Sequence, residues 1–142
     1  MKTTDLHNQI SVGVGIALTA VANGEDVVGS IIDMQGCNAL EFIFQVGAYT
    51  DGDVTPLIEE GDDSGLSDAA AVADADLLGT EAAAALTAAG VSNIGYIGNK
   101  RYVRATAVTA AGSTLSVGCT AIKYGLRIAN ECDALLGSVD NG

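Results

Sequence analysis

The chain's one histidine, His7, stands two residues after Asp5, with no cysteine or further carboxylate at metal-ligand spacing. Any Ser–His or Cys–His nucleophile would have to route its proton through this side chain. It lies in a polar opening segment, where a lone imidazole reads as solvated. The sequence holds no G-x-S-x-G, no phosphate-binding G-x-x-x-x-G-K and no H-E-x-x-H. Gly13-Val14-Gly15 sits inside an alternating apolar stretch with no helix after it. It therefore lacks the setting of a dinucleotide loop and reads as strand glycines, which mark bulges or close backbone approach. Between Asp51 and Glu81 there are ten acids and no base. The ordered spacing of an EF-hand is absent. The stretch reads as a solvated face or turn network, with a weak divalent-ion site or a carboxylate pair as alternatives. A glycosidase would need a cleft with aromatic platforms, and the chain has no tryptophan. Cys37, Cys119 and Cys132 show no C-x-x-C spacing. They are expected to be free thiols in a reducing compartment, with one disulfide and one leftover thiol as the alternative. No catalytic, cofactor or metal-ligating residue is expected, and the chain is not expected to be an enzyme.

The residues best placed for contact are basic. Lys100, Arg101 and Arg104 hold half of the six positive charges, against 18 acids and a formal net charge of -12. Tyr102 and Arg104 are two apart and share a strand face. Two readings stand side by side: in-chain pairing with the acidic loop, or contact with an acidic patch of a neighbouring subunit. The charge balance argues against nucleic-acid binding, which needs clustered Lys and Arg. It argues equally against docking on an anionic membrane. No apolar run is long enough to span a bilayer, and no h-region follows the first residues. The chain is expected to be made and kept in the cytoplasm of its cell, or released by lysis.

Strands are expected to position these groups. Ile10, Val12, Val14, Ile16 and Leu18 alternate with Ser11, Gly13, Gly15, Ala17 and Thr19. A period of two rich in β-branched residues predicts a strand over 10–21. Asn23-Gly24 marks a turn, and a second strand is expected over 27–34. Phe42, Phe44, Val46 and Ala48 share one face of a strand over 39–49, and both phenylalanines of the chain mark it as a core face. Further strands are expected over 54–60, 100–110 and 114–126, the last with Leu115, Val117, Cys119 and Ala121 on one face. Residues 91–98 read as a connector. The alanine-rich segment 80–89 is open between a short helix and an irregular loop. With no βαβ alternation, the fold expected is all-β: an antiparallel β-sandwich or open barrel of about six to eight strands. The divisions expected are an N-terminal arm over 1–12, a sandwich domain over 13–127 and a C-terminal tail over 128–142. One domain of 142 residues can bury a core without disulfides. Few large side chains leave part of its stability to burial against partners.

Three stretches carry a resemblance. Thr55-Pro56-Leu57-Ile58-Glu59-Glu60-Gly61-Asp62-Asp63-Ser64 is followed by Val72-Ala73-Asp74-Ala75-Asp76-Leu77-Leu78-Gly79, then by Ile94-Gly95-Tyr96-Ile97-Gly98-Asn99-Lys100-Arg101-Tyr102-Val103-Arg104. In this order they resemble small structural proteins of tailed-bacteriophage virions, over roughly residues 25 to 127. That group carries E-S-D-D-G, D-L-L-G and I-G-Y-x-G-x-K-R-Y-V-R. Here Gly61 stands where serine is usual, and the alanine-rich segment precedes the last motif. The resemblance implies a virion protein assembled in the host bacterial cytoplasm. It implies capsid decoration or cement: non-covalent binding to the major capsid protein and to copies of itself, with a trimer favoured. Partner contacts are then expected from the arm with His7, and from Lys100, Arg101, Tyr102 and Arg104. A neck or tail role, as ring subunit or adaptor, is the alternative. A host-facing adhesion or carbohydrate-binding module is another.

Overall fold

The structure is a computed structural model that describes residues 5–125. Its strands are β1 (Ile10–Val21), β2 (Val27–Asp33), β3 (Ala39–Asp51), β4 (Val54–Gly61), β5 (Ala70–Ala71), β6 (Leu77–Leu78), β7 (Gly90–Tyr96), β8 (Tyr102–Thr109) and β9 (Thr114–Tyr124). They form two antiparallel sheets, a five-stranded one in the order β1-β9-β3-β7-β6 and a four-stranded one in the order β2-β8-β4-β5. The sheets face each other as an open sandwich, as the alternation predicts. The count of nine exceeds the sequence expectation for two reasons. β5 and β6 have two residues each, and residues 91–98, read as a connector, instead supply β7 beside β3. Gly95 and Gly98 masked that strand. A Cβ on Gly95 would press on Leu78 of the neighbouring β6, so the glycine marks close packing rather than a loop.

The core lies between the sheets. Leu40, Phe42, Phe44 and Val46 of β3 point inward with Ile94 and Tyr96 of β7 and Val117 of β9. They meet Val54 and Ile58 of β4 and Val103, Ala105 and Ala107 of β8. Both phenylalanines are completely buried, and truncating either to alanine is expected to cost about 3–5 kcal/mol.

Asn23 and Gly24 both adopt positive φ, as the turn signal requires, but they do not close a hairpin. The turn carries the chain from β1 in one sheet to β2 in the other, with the Gly24 N–H on the carbonyl of Ser113 at 3.1 Å. The two strands then pass close together. A Cβ on Gly29 would fall on the carbonyl oxygens of Gly15 in β1 and Ala105 in β8.

The alanine-rich segment is not a helix. Thr80 Oγ1 accepts from the Ala83 N–H at 3.1 Å and caps a single turn. Leu86 then runs extended and exchanges both backbone hydrogen bonds with Val54 at 2.8 and 2.9 Å. An isolated helix of three turns is marginal in water, and here Ala84 is buried in the core with the partly buried Leu86 packed against it instead. Of the expected arm, residues 10–12 belong to β1, residues 7–9 form a 3-10 turn, and residues 1–4 lie outside the described residues. The tail over 128–142 also lies outside them.

Candidate interaction surface

The basic residues singled out by sequence fall around the turn before β8 and along its outer face, and each is answered within the chain. Lys100 Nζ lies 2.5 Å from Asp62 of the acidic loop. Arg101 donates from Nε and from a terminal nitrogen to Asp33, both at 3.0 Å, and to Gln35 Oε1 at 2.6 Å. Its guanidinium carbon also stands 5.1 Å from the centre of the Tyr102 ring. Arg104 pairs with Glu59 of the adjacent β4 at 2.9 Å, both half-buried. Lys123 Nζ donates to the Asp33 carbonyl at 3.2 Å. Of these, Lys100 alone meets the acidic loop, while Arg101 engages β2 and Arg104 engages β4. Arg101 holds the Asp33 carboxyl below its usual range, and Asp62 raises the Lys100 ammonium above its own. His7 is exposed in the 3-10 turn, and Asp5 beside it caps Asn8 through the Asn8 N–H at 2.7 Å and side-chain amide at 3.0 Å.

The acidic loop spends its carboxylates on its own backbone. Asp68 accepts from the N–H groups of Asp62 and Asp63 at 2.8 and 3.2 Å. Asp63 accepts from those of Gly65 and Ser67 at 2.9 and 3.2 Å. These bonds lower both carboxyls. They also hold Leu66, which is buried and sits at φ 53, a left-handed conformation that its Cβ disfavours. Among the described residues, no group of three or more His, Cys, Asp or Glu side chains is arranged to hold a metal ion.

Sequence reading did not anticipate the outer face of the five-stranded sheet. Gly13 pairs with the inward-facing Ala121, so its neighbours Val12 and Val14 point out to solvent. The register of β1 against β9 then slips twice, between Val14 and Ile16 and between Ile16 and Thr19. These bulges turn Ile16 into the core and leave Leu18 outside. Val12, Val14 and Leu18 are 60%, 59% and 77% exposed. Two shallow grooves run down this face. One of about 430 Å³ lies among Val14, Leu18, Ile43, Gln45, Gly118 and Thr120. The other, of about 310 Å³, lies further along β1 among Ala20, Ala22, Ala48 and Ser116. No charged side chain lines either groove. At the far edge Glu41 accepts a hydrogen bond from the Asn93 amide across the β3–β7 pair. A signal for this face was present in the alternating Ser116, Gly118, Thr120 and Ile122 opposite the core residues of β9, which carry no charge.

A polar notch of about 370 Å³ opens at the end of the sandwich between the turn before β3 and the turn before β8. Gln35, Gly36, Asn38, Asn99 and Lys100 line it. Cys37, a buried free thiol, and Arg101 line it as well.

No protein-family model matches the chain, and no curated protein sequence matches it. Solved structures are similar to it, one of them at a TM-score of 0.50. The SPBc2 prophage-derived protein YomS superimposes with a TM-score of 0.50 at 13% identity, covering 80% of this chain and 91% of that one. A protein of Bacillus endospore appendages, described as forming disulfide-linked pili, gives 0.46 at 15% identity, with 83% and 89% covered. A chain of infectious bursal disease virus, Gx strain, gives 0.42 at 12%, with 82% of this chain and 32% of the viral one covered. At these identities the likeness is one of fold: this chain shares its two-sheet architecture with a prophage-derived protein.

Proposed function

We propose that the chain is a non-enzymatic structural subunit of a tailed-phage virion, of the capsid decoration type. It binds the major capsid protein non-covalently, lies beside copies of itself and stabilises the head. One observation carries the assembling role. A chain of net charge -12 leaves Val12, Val14 and Leu18 exposed on one sheet face, beside two grooves that no charged side chain lines. Exposed apolar surface of this kind marks an interaction site. The phage setting is supported by the three ordered motifs and accords with a fold also found in a prophage-derived protein. Many copies on a lattice convert modest contacts into firm attachment. The trimer implied by the resemblance is one arrangement that would supply them, with the residues before β1 as the bridging arm.

The test is deletion of the gene from the phage that encodes it, followed by heating and low-salt challenge of purified heads. Loss of head stability, with a copy number per particle matching the major capsid protein, supports decoration. Equal stability with and without the protein overturns it. A copy number equal to a single ring moves the assignment to the neck or tail.

A further inference from the structure

We propose that Asn23 is a site of spontaneous modification by water, gated by the turn it sits in, and that the native crossover cannot take the isoaspartyl product back.

Among the described residues, Asn23 is the one asparagine followed by a glycine. With no side chain on Gly24 to shield it, the Gly24 backbone nitrogen can attack Cγ of Asn23. A bond forms from that nitrogen to Cγ, the bond from Cγ to Nδ2 breaks, and ammonia leaves with the proton that Gly24 gives up. Water then opens the five-membered imide at either carbonyl. One opening gives aspartate. The other routes the main chain through Cβ and Cγ and gives isoaspartate, which lengthens the backbone by one methylene. Asn23 is exposed, so water reaches it.

The nucleophile is what the fold withholds. The Gly24 N–H donates to the Ser113 carbonyl at 3.1 Å, and the nitrogen attacks only once that proton is free to leave. One side of this contact is braced. The Ala110 N–H donates to Asp53 Oδ1 at 3.2 Å, the Asp53 N–H to Ser113 Oγ at 3.3 Å, and Ser113 is fully buried. The other side is lightly held. Ala22, Asn23, Glu25 and Asp26 are exposed, and their second anchor is the Thr109 N–H on Asp26 Oδ1 at 2.9 Å. A segment with so few bonds opens before the sandwich does. The product fits worse than the reactant. A Cβ on Gly24 would fall on the Ala110 carbonyl oxygen and stand 2.8 Å from the Ala111 Cα, so this backbone is already pressed against the 110–113 turn and an added methylene displaces it. Conversion also places a carboxylate beside Glu25 and Asp26. Modification of the opened turn is therefore one-way.

Peptide mapping of the full-length chain, held at mildly alkaline pH and sampled over time, follows amide-to-acid conversion at Asn23 in native buffer and in urea. The native rate is expected to fall below the unfolded rate by about tenfold or more, and by the factor that slows hydrogen exchange at the Gly24 amide. Asp26→Ala removes one of the two anchors and should speed the native conversion. Tyr96→Phe, at the opposite end of the sandwich, should not. The isoaspartyl chain, separated from the aspartyl one, should melt below wild type. Equal native and unfolded rates overturn the proposal, and so does an isoaspartyl chain as stable as wild type. Equal acceleration by Tyr96→Phe and Asp26→Ala overturns it too, because the gate would then be the whole fold and not the turn.

Discussion

The hydroxyl of Tyr96, on β7 of the five-stranded sheet, donates at 2.6 Å to Glu60 Oε2 on β4 of the facing sheet. The same oxygen accepts the Lys100 N–H at 3.0 Å, so one buried phenol joins the two sheets and fixes the turn before β8. Burial, reinforced by the Glu60 carboxylate, pushes this phenol far above its ordinary ionisation range and keeps it a donor. Tyr96→Phe leaves a carboxylate and an amide without their partner. It is expected to cost about 1–3 kcal/mol in urea unfolding, with amide exchange rising first at residues 97–101. Unchanged stability would mean that water replaces the hydroxyl at no loss.

The closeness of β1 and β2 makes opposite predictions for two glycines. Gly29→Ala drives a methyl into the carbonyl oxygens of Gly15 and Ala105. The two strands must part, and a loss of about 2 kcal/mol or more is expected. At Gly13 a Cβ meets nothing within 4 Å. Gly13→Ala should stay within about 0.5 kcal/mol of wild type. Thermal denaturation of the two variants side by side checks the contrast.

Acid should weaken the fold through three aspartates. Asp33, held by Arg101, and Asp63 and Asp68, held by backbone N–H groups, all ionise below the usual carboxylate range. An unfolded aspartate titrates near about 3.9. Between the lowered folded values and that point the unfolded chain binds more protons, so stability rises with pH. Their contribution is complete above about pH 4 and disappears as pH falls through the folded values. Protonation elsewhere relieves repulsion in a chain of net charge -12, so the comparison must be with a variant. Asp68→Asn should show a shallower loss of urea midpoint from about pH 5 to about pH 2 than wild type. Parallel curves would deny Asp68 its part.

Cys119 is buried beside Gly15, and burial pushes its thiol up to about 12. The thiolate is the reactive form. A disulfide reagent at neutral pH should therefore reach Cys119 only as fast as the chain opens, with a rate that climbs in denaturant. Prompt labelling of Cys119 in the native chain, located by peptide mapping, would show an open β1 edge.

Much of the sandwich was legible because period-two alternation survives in the long strands. Ile10–Val21 was read to its observed ends, and Phe42, Phe44, Leu115, Val117, Cys119 and Ala121 all point inward as the alternation requires. β7 escaped because its glycines resemble a connector until Leu78 is seen pressing on Gly95. The segment around Leu86 escaped because alanine's helix propensity is local, while its pairing with Val54 is not. The contact surface was least legible. Alternation in β1 displays an apolar side without saying which way it faces, and two bulges reverse the answer within the strand. Lys100, Arg101 and Arg104 were visible as a basic cluster, but Asp33 and Glu59, which engage two of them, are distant in sequence.

The internal engagement of the described cations gives ionic strength an unusual sign. Where subunits join by opposite charges, dissolved salt loosens them. Here Lys100, Arg101 and Arg104 are already matched at home, and the surplus carboxylates of each copy only push neighbours away. Monovalent salt screens those carboxylates, so it is expected to ease the close approach of two copies rather than to oppose it.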